Sequence, residues 1–267
     1  MLRAFLLPLA SLILLAATPA AAQSAQEQAQ LAEALARGKL LYEIDVAGWV
    51  STDAMMETAA RELPIMGWLV EPDPAVRHAW NVVYYLQPGG ESASAVPAFR
   101  ARVENGRVIE SAIVPEAERR PLSVAQMRIV RAIEAARKAD YKPCTPARFN
   151  VTVVPPPAPD APLEVYLLSA QTETKVFPVG GHYKLVFAPD GKLIARRPFM
   201  KSCLNLDARA IPPGAGEASL FVNHLLDPIP TEMHVLSSIQ IGTPVFVGTR
   251  KKRTWAVTPE GITLIKR

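Results

Sequence analysis

The fold of this chain is decided by the stretch YKLVFAPDGKLIAR, residues 183–196. Every second residue from Tyr183 to Phe187 is a large apolar residue, whereas Lys184 faces the other way, as expected for a strand with one buried face. The Pro-Asp-Gly sequence that follows supplies a fixed φ, a local side-chain acceptor and a residue that tolerates positive φ. The stretch therefore predicts a β-hairpin.

The same pattern of strand, turn and strand occurs twice more, around Asn105-Gly106 and around Pro259-Glu260-Gly261. Each hairpin follows an earlier strand-like run, so the sequence predicts three antiparallel meanders. The strands are expected near 81–86, 97–103 and 107–114, near 164–168, 183–187 and 192–196, and near 244–247 and 255–257.

The strongest helix signal begins at Ser123, which forms a capping box with Gln126 and precedes an apolar stripe that runs to about Asp140. A short helix is expected from Ser24 to a C-terminal Gly38, and another from Asp53 to Pro64. The predicted class is α+β, with antiparallel meanders, one long helix, and one or two short helices packed on the sheet.

Three further segments are assigned from local pattern. Residues 39–50 are expected to form a strand because Tyr42, Ile44 and Val46 alternate with acidic residues. Residues 67–76 are expected to form a proline-punctuated loop that packs on the sheet through Trp68 and Leu69. Two more β-like runs are expected at residues 219–226 and 233–241.

The first 22 residues have the parts of a secretory signal peptide: one positive charge at Arg3, a short apolar core, and an Ala-x-Ala end that predicts cleavage after Ala22. The alternative is a retained N-terminal anchor. The mature chain has no apolar run of about 18 residues, so no transmembrane segment is expected there. The protein is expected to be periplasmic or secreted.

The charge pattern argues against nucleic-acid binding. The net charge is +4, and the 29 Lys and Arg residues are scattered among 25 Asp and Glu residues. A nucleic-acid-binding domain concentrates its basic residues on one face. No glycine-rich nucleotide fingerprint is present, so no cofactor is expected.

The two cysteines, Cys144 and Cys203, are the only pair available. In an oxidising compartment they are expected to form a disulfide; the alternatives are buried thiols or a redox pair, although no Cys-x-x-Cys spacing occurs. The proline-rich segment 155–162 is the one plausible internal boundary. It divides an N-terminal α+β subdomain, 23–154, from a mostly-β subdomain, 163–267, and the predicted disulfide would couple the two.

The densest set of potential metal ligands is His224, Asp227, Glu232 and His234. Two imidazoles and a carboxylate form a zinc site where they converge. If 219–226 and 233–241 pair as antiparallel strands with their apolar residues on one face, however, the two histidines lie on opposite faces of the sheet. A structural histidine and a solvated loop are therefore the simpler interpretation.

Two further groups are candidate ligand sites. His182 and Tyr183 follow a Gly-Gly pair that permits close approach of a ligand to the backbone, although such a pair also occurs at ordinary strand entries. The basic turn consists of Arg250, Lys251, Lys252 and Arg253. It offers point charges to an anionic envelope component, or is simply solvated.

No catalytic template is complete in this chain. Ser237 and Ser238, for example, have neither a Gly-x-Ser-x-Gly elbow nor a Ser-x-x-Lys spacing. The leading functional hypothesis is a non-catalytic binding or envelope-associated module whose ligand is unknown. The alternative is a metal-dependent hydrolase that uses His224 or His234 with Glu232 or Asp227.

Overall fold

The computed structural model describes residues 23–87, 94–210, 220–250 and 252–265. The predicted signal peptide and the predicted ligand candidate Lys251 lie outside the described residues. Within those residues, three α-helices accompany three four-stranded sheets and one two-stranded sheet. The predicted α+β class is confirmed.

The long helix is α1, Ala25–Met56, which begins as predicted with the Ser24 side chain accepting a hydrogen bond from the Glu27 amide. With about 1.5 Å of rise per residue, its 32 residues span about 48 Å. Its buried positions recur every three or four residues and form one face. They are Leu31, Ala34, Gly38, Leu41, Ile44, Ala47, Gly48, Ser51 and Met55.

The predicted end of this helix at Gly38, the strand over 39–50 and the separate helix from Asp53 are wrong. The alternation of Tyr42, Ile44 and Val46 is incidental, because only Ile44 of the three is fully buried. After α1 ends, only a short 3₁₀ turn, Ala59–Glu62, precedes Pro64.

The second helix, α2, covers Val124–Arg137. Its predicted capping box is confirmed: the Ser123 hydroxyl accepts from the Gln126 amide, and the Gln126 side chain accepts from the Ser123 amide. The helix ends three residues before the predicted Asp140.

The first sheet is an antiparallel meander in the order β1 (Gly67–Pro72), β2 (Ala79–Leu86), β3 (Val96–Glu104) and β4 (Arg107–Ile113). The last three strands were predicted. The prediction of a loop over 67–76 is wrong, because 67–72 pair with β2 along their whole length and bury Leu69.

The second sheet has the order β5 (Asn150–Val154), β6 (Leu163–Leu168), β8 (Tyr183–Phe187) and β9 (Leu193–Pro198). The hairpin predicted from residues 183–196 is confirmed as β8 and β9. Between β6 and β8 the chain forms β7 (Val176–Pro178), which pairs with the later β10 (Asn205–Asp207) as a two-stranded sheet.

The first and second sheets share a hydrophobic core beneath α2. One cluster combines Leu69 and Val83 of the first sheet, Val130 of α2, and Val165 and Leu185 of the second sheet. The opposite face of the first sheet packs against the second half of α1. Each of these two sheets is therefore covered on both faces over part of its width.

The third sheet has the order β11 (Leu220–His224), β12 (Val245–Thr249), β13 (Thr254–Val257) and β14 (Ile262–Ile265). The predicted last hairpin is confirmed as β13 and β14. Strand β11 pairs in parallel with β12, and the crossover between them is the helix α3, Glu232–Ile241.

The prediction of a strand over 233–241 is therefore wrong. Thr231 occupies the N-cap position of α3, and Gly242 follows the helix in the left-handed conformation with φ of 71°. These are the ordinary start and stop signals of a helix. They were obscured because the helix is buried on nearly every side and has no exposed polar face.

The predicted disulfide between Cys144 and Cys203 is present, with Cα atoms 5.2 Å apart.

The proline-rich segment 155–162 connects β5 to β6, which are paired neighbours in one sheet. The division into 23–154 and 163–267 stays a prediction; strand pairing and a shared core couple the two parts in addition to the disulfide. No helix in the described part of the chain is long and apolar enough to cross a membrane.

Candidate functional site

A cluster of buried and half-buried polar side chains lies where α1, the second sheet and α3 meet. We call it the polar network. Its members come from α1, β6, β8, β9, and the segment from β11 into α3. They are Arg37, Glu164, Tyr166, Lys184, Arg197, His224, Asp227, Glu232 and His234.

One half of the polar network is centred on Asp227. Its Oδ2 atom lies 2.8 Å from Nε2 of His224 and 2.8 Å from a guanidinium nitrogen of Arg197. Burial alone would raise the pKa of Asp227, but the hydrogen bond from His224 and the charge of Arg197 outweigh it and lower the pKa. Asp227 is therefore an anion that holds the His224 ring by its Nε2–H.

His224 is almost completely buried, with 1% of its surface exposed. Nε2 donates to Asp227, so the neutral form of the ring has its lone pair on Nδ1. That Nδ1 is buried and has no hydrogen-bond partner among the described residues. This unsatisfied atom is the one feature of the polar network that resembles a catalytic base.

His234 lies against His224, edge to face, with ring centroids 4.6 Å apart. Its Nδ1 accepts a hydrogen bond of 3.0 Å from the Thr231 amide at the start of α3. Burial, reinforced by the neighbouring His224, lowers the pKa of His234 to about 3. His234 is therefore a neutral side chain that caps its own helix.

The other half of the polar network contains Glu232, whose carboxylate contacts residues of the second sheet. Its Oε1 accepts a hydrogen bond of 3.1 Å from the Tyr166 hydroxyl and lies 3.9 Å from Nζ of Lys184. Burial, followed by the charge of Glu232, raises the pKa of Tyr166. Lys184 and Arg37 in turn pair with Glu164 at 3.5 Å and 3.0 Å.

The structure thus brings together three of the four predicted metal ligands, His224, Asp227 and His234. The expectation that the two histidines face apart is wrong, because α3 replaces the predicted strand and folds back over β11. No group of three or more His, Cys, Asp or Glu side chains within the described ranges has an arrangement that could hold a metal ion.

Sequence reasoning missed the partners of these residues. Arg197 on β9 and Lys184 on β8 are cross-strand neighbours, and Tyr166 on β6 pairs with the same Lys184. Only the alternation around the central hairpin hinted at them, since it placed Lys184 on the face opposite Leu185.

The predicted ligand candidate His182 has a structural environment. Its Nδ1 accepts from the Ser169 amide at 3.1 Å, and its Nε2 donates to the Pro178 carbonyl at 2.9 Å. Burial lowers its pKa to about 4. The adjacent Gly181 passes so close to the disulfide that a Cβ atom there would lie 2.6 Å from Sγ of Cys144.

Tyr183, the second candidate at this position, stacks on Tyr141 with ring centroids 4.1 Å apart and meets the edge of Phe149. The Gly-Gly pair therefore allows the chain to pass the disulfide, and the aromatic ring that follows it completes a small aromatic cluster. A ligand role for His182 and Tyr183 stays a prediction.

The basic turn divides into two kinds of residue. Arg253 forms a two-pronged ion pair with Glu27 of α1, and its guanidinium lies 4.8 Å from the Trp255 ring. Arg250 and Lys252 are exposed. Arg253 therefore fastens the start of α1 to the third sheet and is less available to an anionic ligand.

The third sheet has a second face that sequence reasoning did not identify and that no described residue buries. We call it the outer face. Side chains that alternate with the buried ones point to it, and all of them are exposed or half-exposed. They are Phe221, Asn223, Phe246, Gly248, Thr254, Ala256, Thr263 and Ile265.

Comparison of the chain with protein-family models, with curated protein sequences and with solved structures finds no match. The class to which the chain belongs is thus defined by its own architecture: a disulfide-bonded α+β protein in which one long helix contacts all three large sheets.

Proposed function

We propose that this protein is an extracytoplasmic binding module without catalytic activity, and that it binds a partner protein through the outer face of its third sheet. One observation carries the proposal. The outer face contains two aromatic residues, Phe221 and Phe246, which are paired across β11 and β12, and its described residues include no ionisable side chain. Uncharged, aromatic surface is typical of the centre of a protein interface.

The size of the outer face favours a partner that extends beyond it. Four strands about 4.8 Å apart and about five residues long cover roughly 300 Å² in plan. Stable interfaces bury about 800 Å² per partner. Leu225, which follows β11 and is 59% exposed, offers adjoining apolar surface. The outer face is thus the apolar centre of a larger contact.

The polar network supports a structural rather than a catalytic role. His224 and His234 are at most 6% exposed, so a substrate has no access to them. Their hydrogen bonds to Asp227 and Thr231 fix the segment that leads into α3. The ion pairs of Glu164 and Glu232 join α1, the second sheet and α3.

The extracytoplasmic location is supported by two features. The Cys144–Cys203 disulfide persists in oxidising compartments and is rare in the cytosol. The predicted signal peptide over residues 1–22 gives the route. Detection of the mature chain beginning at Gln23 in an extracytoplasmic fraction is the expected result.

Photo-crosslinking in cells tests the binding surface. A photo-reactive phenylalanine analogue in place of Thr263, on the outer face, is expected to crosslink one partner protein. The same analogue in place of Lys192, an exposed residue on the β8–β9 turn, is the control and is expected to give no such product. The identified partner is then purified, and its affinity is measured by calorimetry.

Phe221→Asp is expected to weaken that affinity about tenfold or more, because it removes an aromatic anchor and buries a charge. Lys192→Asp is expected to leave it within about twofold. A crosslink to a second copy of this chain, or an affinity that Phe221→Asp does not change, contradicts the proposal.

A second candidate function, a metal-dependent hydrolase, rests on the closeness of His224, Asp227 and His234, although these side chains, as they lie in the described structure, do not form a group that could hold a metal ion. The unpaired Nδ1 of His224 is the ligand atom that this candidate requires. Metal analysis of the purified mature protein tests it: stoichiometric zinc that is lost in a folded His234→Ala variant would replace the non-catalytic proposal.

A further inference from the structure

A groove lies beside β4, in a part of the chain distant in sequence from the outer face of the third sheet. Strand β4 is an edge strand, and no described strand pairs with its free side. All seven of its residues are exposed or half-exposed, including Ile109 at 57% and Ile113 at 37%. An exposed edge of this kind is a template for an added strand.

The register of the first sheet explains why the groove exists. Leu69, Val83, Arg100 and Ala112 lie side by side across β1, β2, β3 and β4 and share one face. Leu69 and Val83 are buried in the core with α2, whereas Arg100 and Ala112 are exposed. The helix therefore covers half of the face and leaves the half over β3 and β4 open.

The open half forms a cavity of about 390 Å³ between β4 and the start of α2. Arg100 and Ala112 line one side of it, and Pro121, Leu122 and Gln126 line the other. The cavity adjoins the free edge of β4, so a segment that pairs with β4 would place alternate side chains towards it.

The charge of the groove specifies the chemistry of its occupant. Its ionisable lining residues are Arg100, Arg120 and Glu118, which leave one net positive charge. Arg120 donates to the carbonyls of Ala117 and Arg119. Arg100 has no hydrogen bond or ion pair to any residue in the described part of the chain. An unpaired guanidinium beside apolar walls fits a carboxylate, which it can bind with two parallel hydrogen bonds.

We propose that an extended acidic segment of a partner protein adds as a strand to the free edge of β4 and places a carboxylate side chain on Arg100. The residue opposite Ala112 on an added strand lies two strand spacings from Arg100, about 10 Å between Cα atoms. Arginine and glutamate side chains together span that distance. The main chain supplies affinity, and the carboxylate fixes the register.

The probe is a set of short fluorescent peptides that alternate valine and threonine and carry one glutamate at successive positions, each with a glutamine counterpart. Fluorescence anisotropy against the full mature protein is expected to show that one glutamate position binds about tenfold more tightly than its glutamine counterpart. This difference is typical of a hydrogen bond to a charged group. Arg100→Gln abolishes the difference, whereas Arg107→Gln, on β4 but outside the groove, preserves it.

Methylation of the peptide backbone tests strand addition separately. Only every second amide of an added strand donates to β4, so N-methylation is expected to weaken binding at alternate positions. Phe221→Asp, on the outer face, is expected to leave peptide binding unchanged, which separates this site from the proposed function. Equal affinity for glutamate and glutamine peptides, binding that Arg100→Gln does not alter, or a non-alternating methylation pattern overturns the proposal.

Discussion

At the scale of single residues, the buried histidines are held by hydrogen bonds that suit the neutral ring. His182 accepts from one backbone amide and donates to one carbonyl, so both ring nitrogens are satisfied. His234 accepts from the Thr231 amide. Protonation of either ring would break its accepted hydrogen bond and place a charge in the interior.

The pH dependence of stability follows from these two residues. The pKa of His182 is lowered to about 4 and that of His234 to about 3, against about 6.5 in the unfolded chain. As the pH falls, the two histidines are therefore protonated in the unfolded state before they are protonated in the folded state. The stability they contribute is complete above about pH 6.5 and falls as the pH decreases towards 4, by about 1.4 kcal/mol per pH unit for each residue.

Urea unfolding at pH 7 and pH 5 measures this loss. His234→Asn keeps an acceptor for the Thr231 amide but does not titrate, so its free energy of unfolding is expected to change less between the two pH values than that of the wild type. Equal changes in the two proteins would show that His234 does not carry this pH dependence.

At the scale of elements, the sequence predicted what local turn chemistry determines. Four turn residues, 188–191, determine the hairpin of residues 183–196. Two residues determine the Asn105-Gly106 turn, where both have positive φ. Helix α2 has its own capping box and a polar face. The mispredicted elements are the second half of α1, β1 and all of α3, and each depends on tertiary contacts that local sequence does not contain.

The crossing of α1 and α3 depends on Gly38. A Cβ atom at this position would lie 2.5 Å from Cβ of Val235 and 2.7 Å from the Glu232 carbonyl oxygen. Gly38→Ala is therefore expected to destabilise the protein by about 1–3 kcal/mol, although alanine is the better helix former by about 1 kcal/mol.

Chemical denaturation measures this change. Gly261→Ala is the matched control, because a Cβ atom there meets nothing within 4 Å. In a double variant, Val235→Ala removes Cγ1, which would lie 2.7 Å from the new Cβ atom, and is therefore expected to reduce part of the cost of Gly38→Ala. A neutral or stabilising effect of Gly38→Ala would mean that α1 and α3 can move apart without any loss of stability.

The start of α1 is fastened to the third sheet by Arg253. Its partner Glu27 also lies in the first turn of the helix, where the helix dipole favours an anion. The two side chains are 23% and 13% exposed, so Arg253→Gln is expected to cost about 1–2 kcal/mol, between the values for exposed and buried pairs.

Hydrogen exchange locates the effect of Arg253→Gln. Faster exchange is expected in the first turns of α1, whereas Arg250→Gln, an exposed residue of the same turn, leaves exchange there unchanged. If both variants leave the helix equally protected, Arg253 does not fasten it, and the whole basic turn is again a candidate for an anionic ligand.

At the scale of the whole molecule, α1 connects the cores. Leu31 packs into the third sheet, Leu41 against the second, and Ile44 against the first. The candidate sites depend on this long-range arrangement. His224 and His234 meet through a parallel crossover, and the groove at Arg100 exists because α2 covers only part of a sheet. The residue types in the sequence indicated which chemistry is available, but only the fold shows which of these residues lie next to each other.

The disulfide is the last connection between distant parts of the chain. It joins residues 59 positions apart, and in the loop-entropy description this constrains the unfolded chain by about 4 kcal/mol. The double variant Cys144→Ala, Cys203→Ala is therefore expected to melt at a substantially lower temperature. It is expected to do so in one transition, because β5 pairs with β6 and the core beneath α2 contains residues from both sides of segment 155–162.

Calorimetry of the wild type and the double variant distinguishes the possibilities. Two separate transitions in the variant would mean that 23–154 and 163–267 fold independently and are held together mainly by the disulfide. Unfolded, non-reduced wild type is expected to show no reactive thiols. Two reactive thiols would show that Cys144 and Cys203 are not bonded, and the wild type and the double variant would then have no disulfide stabilisation by which to differ.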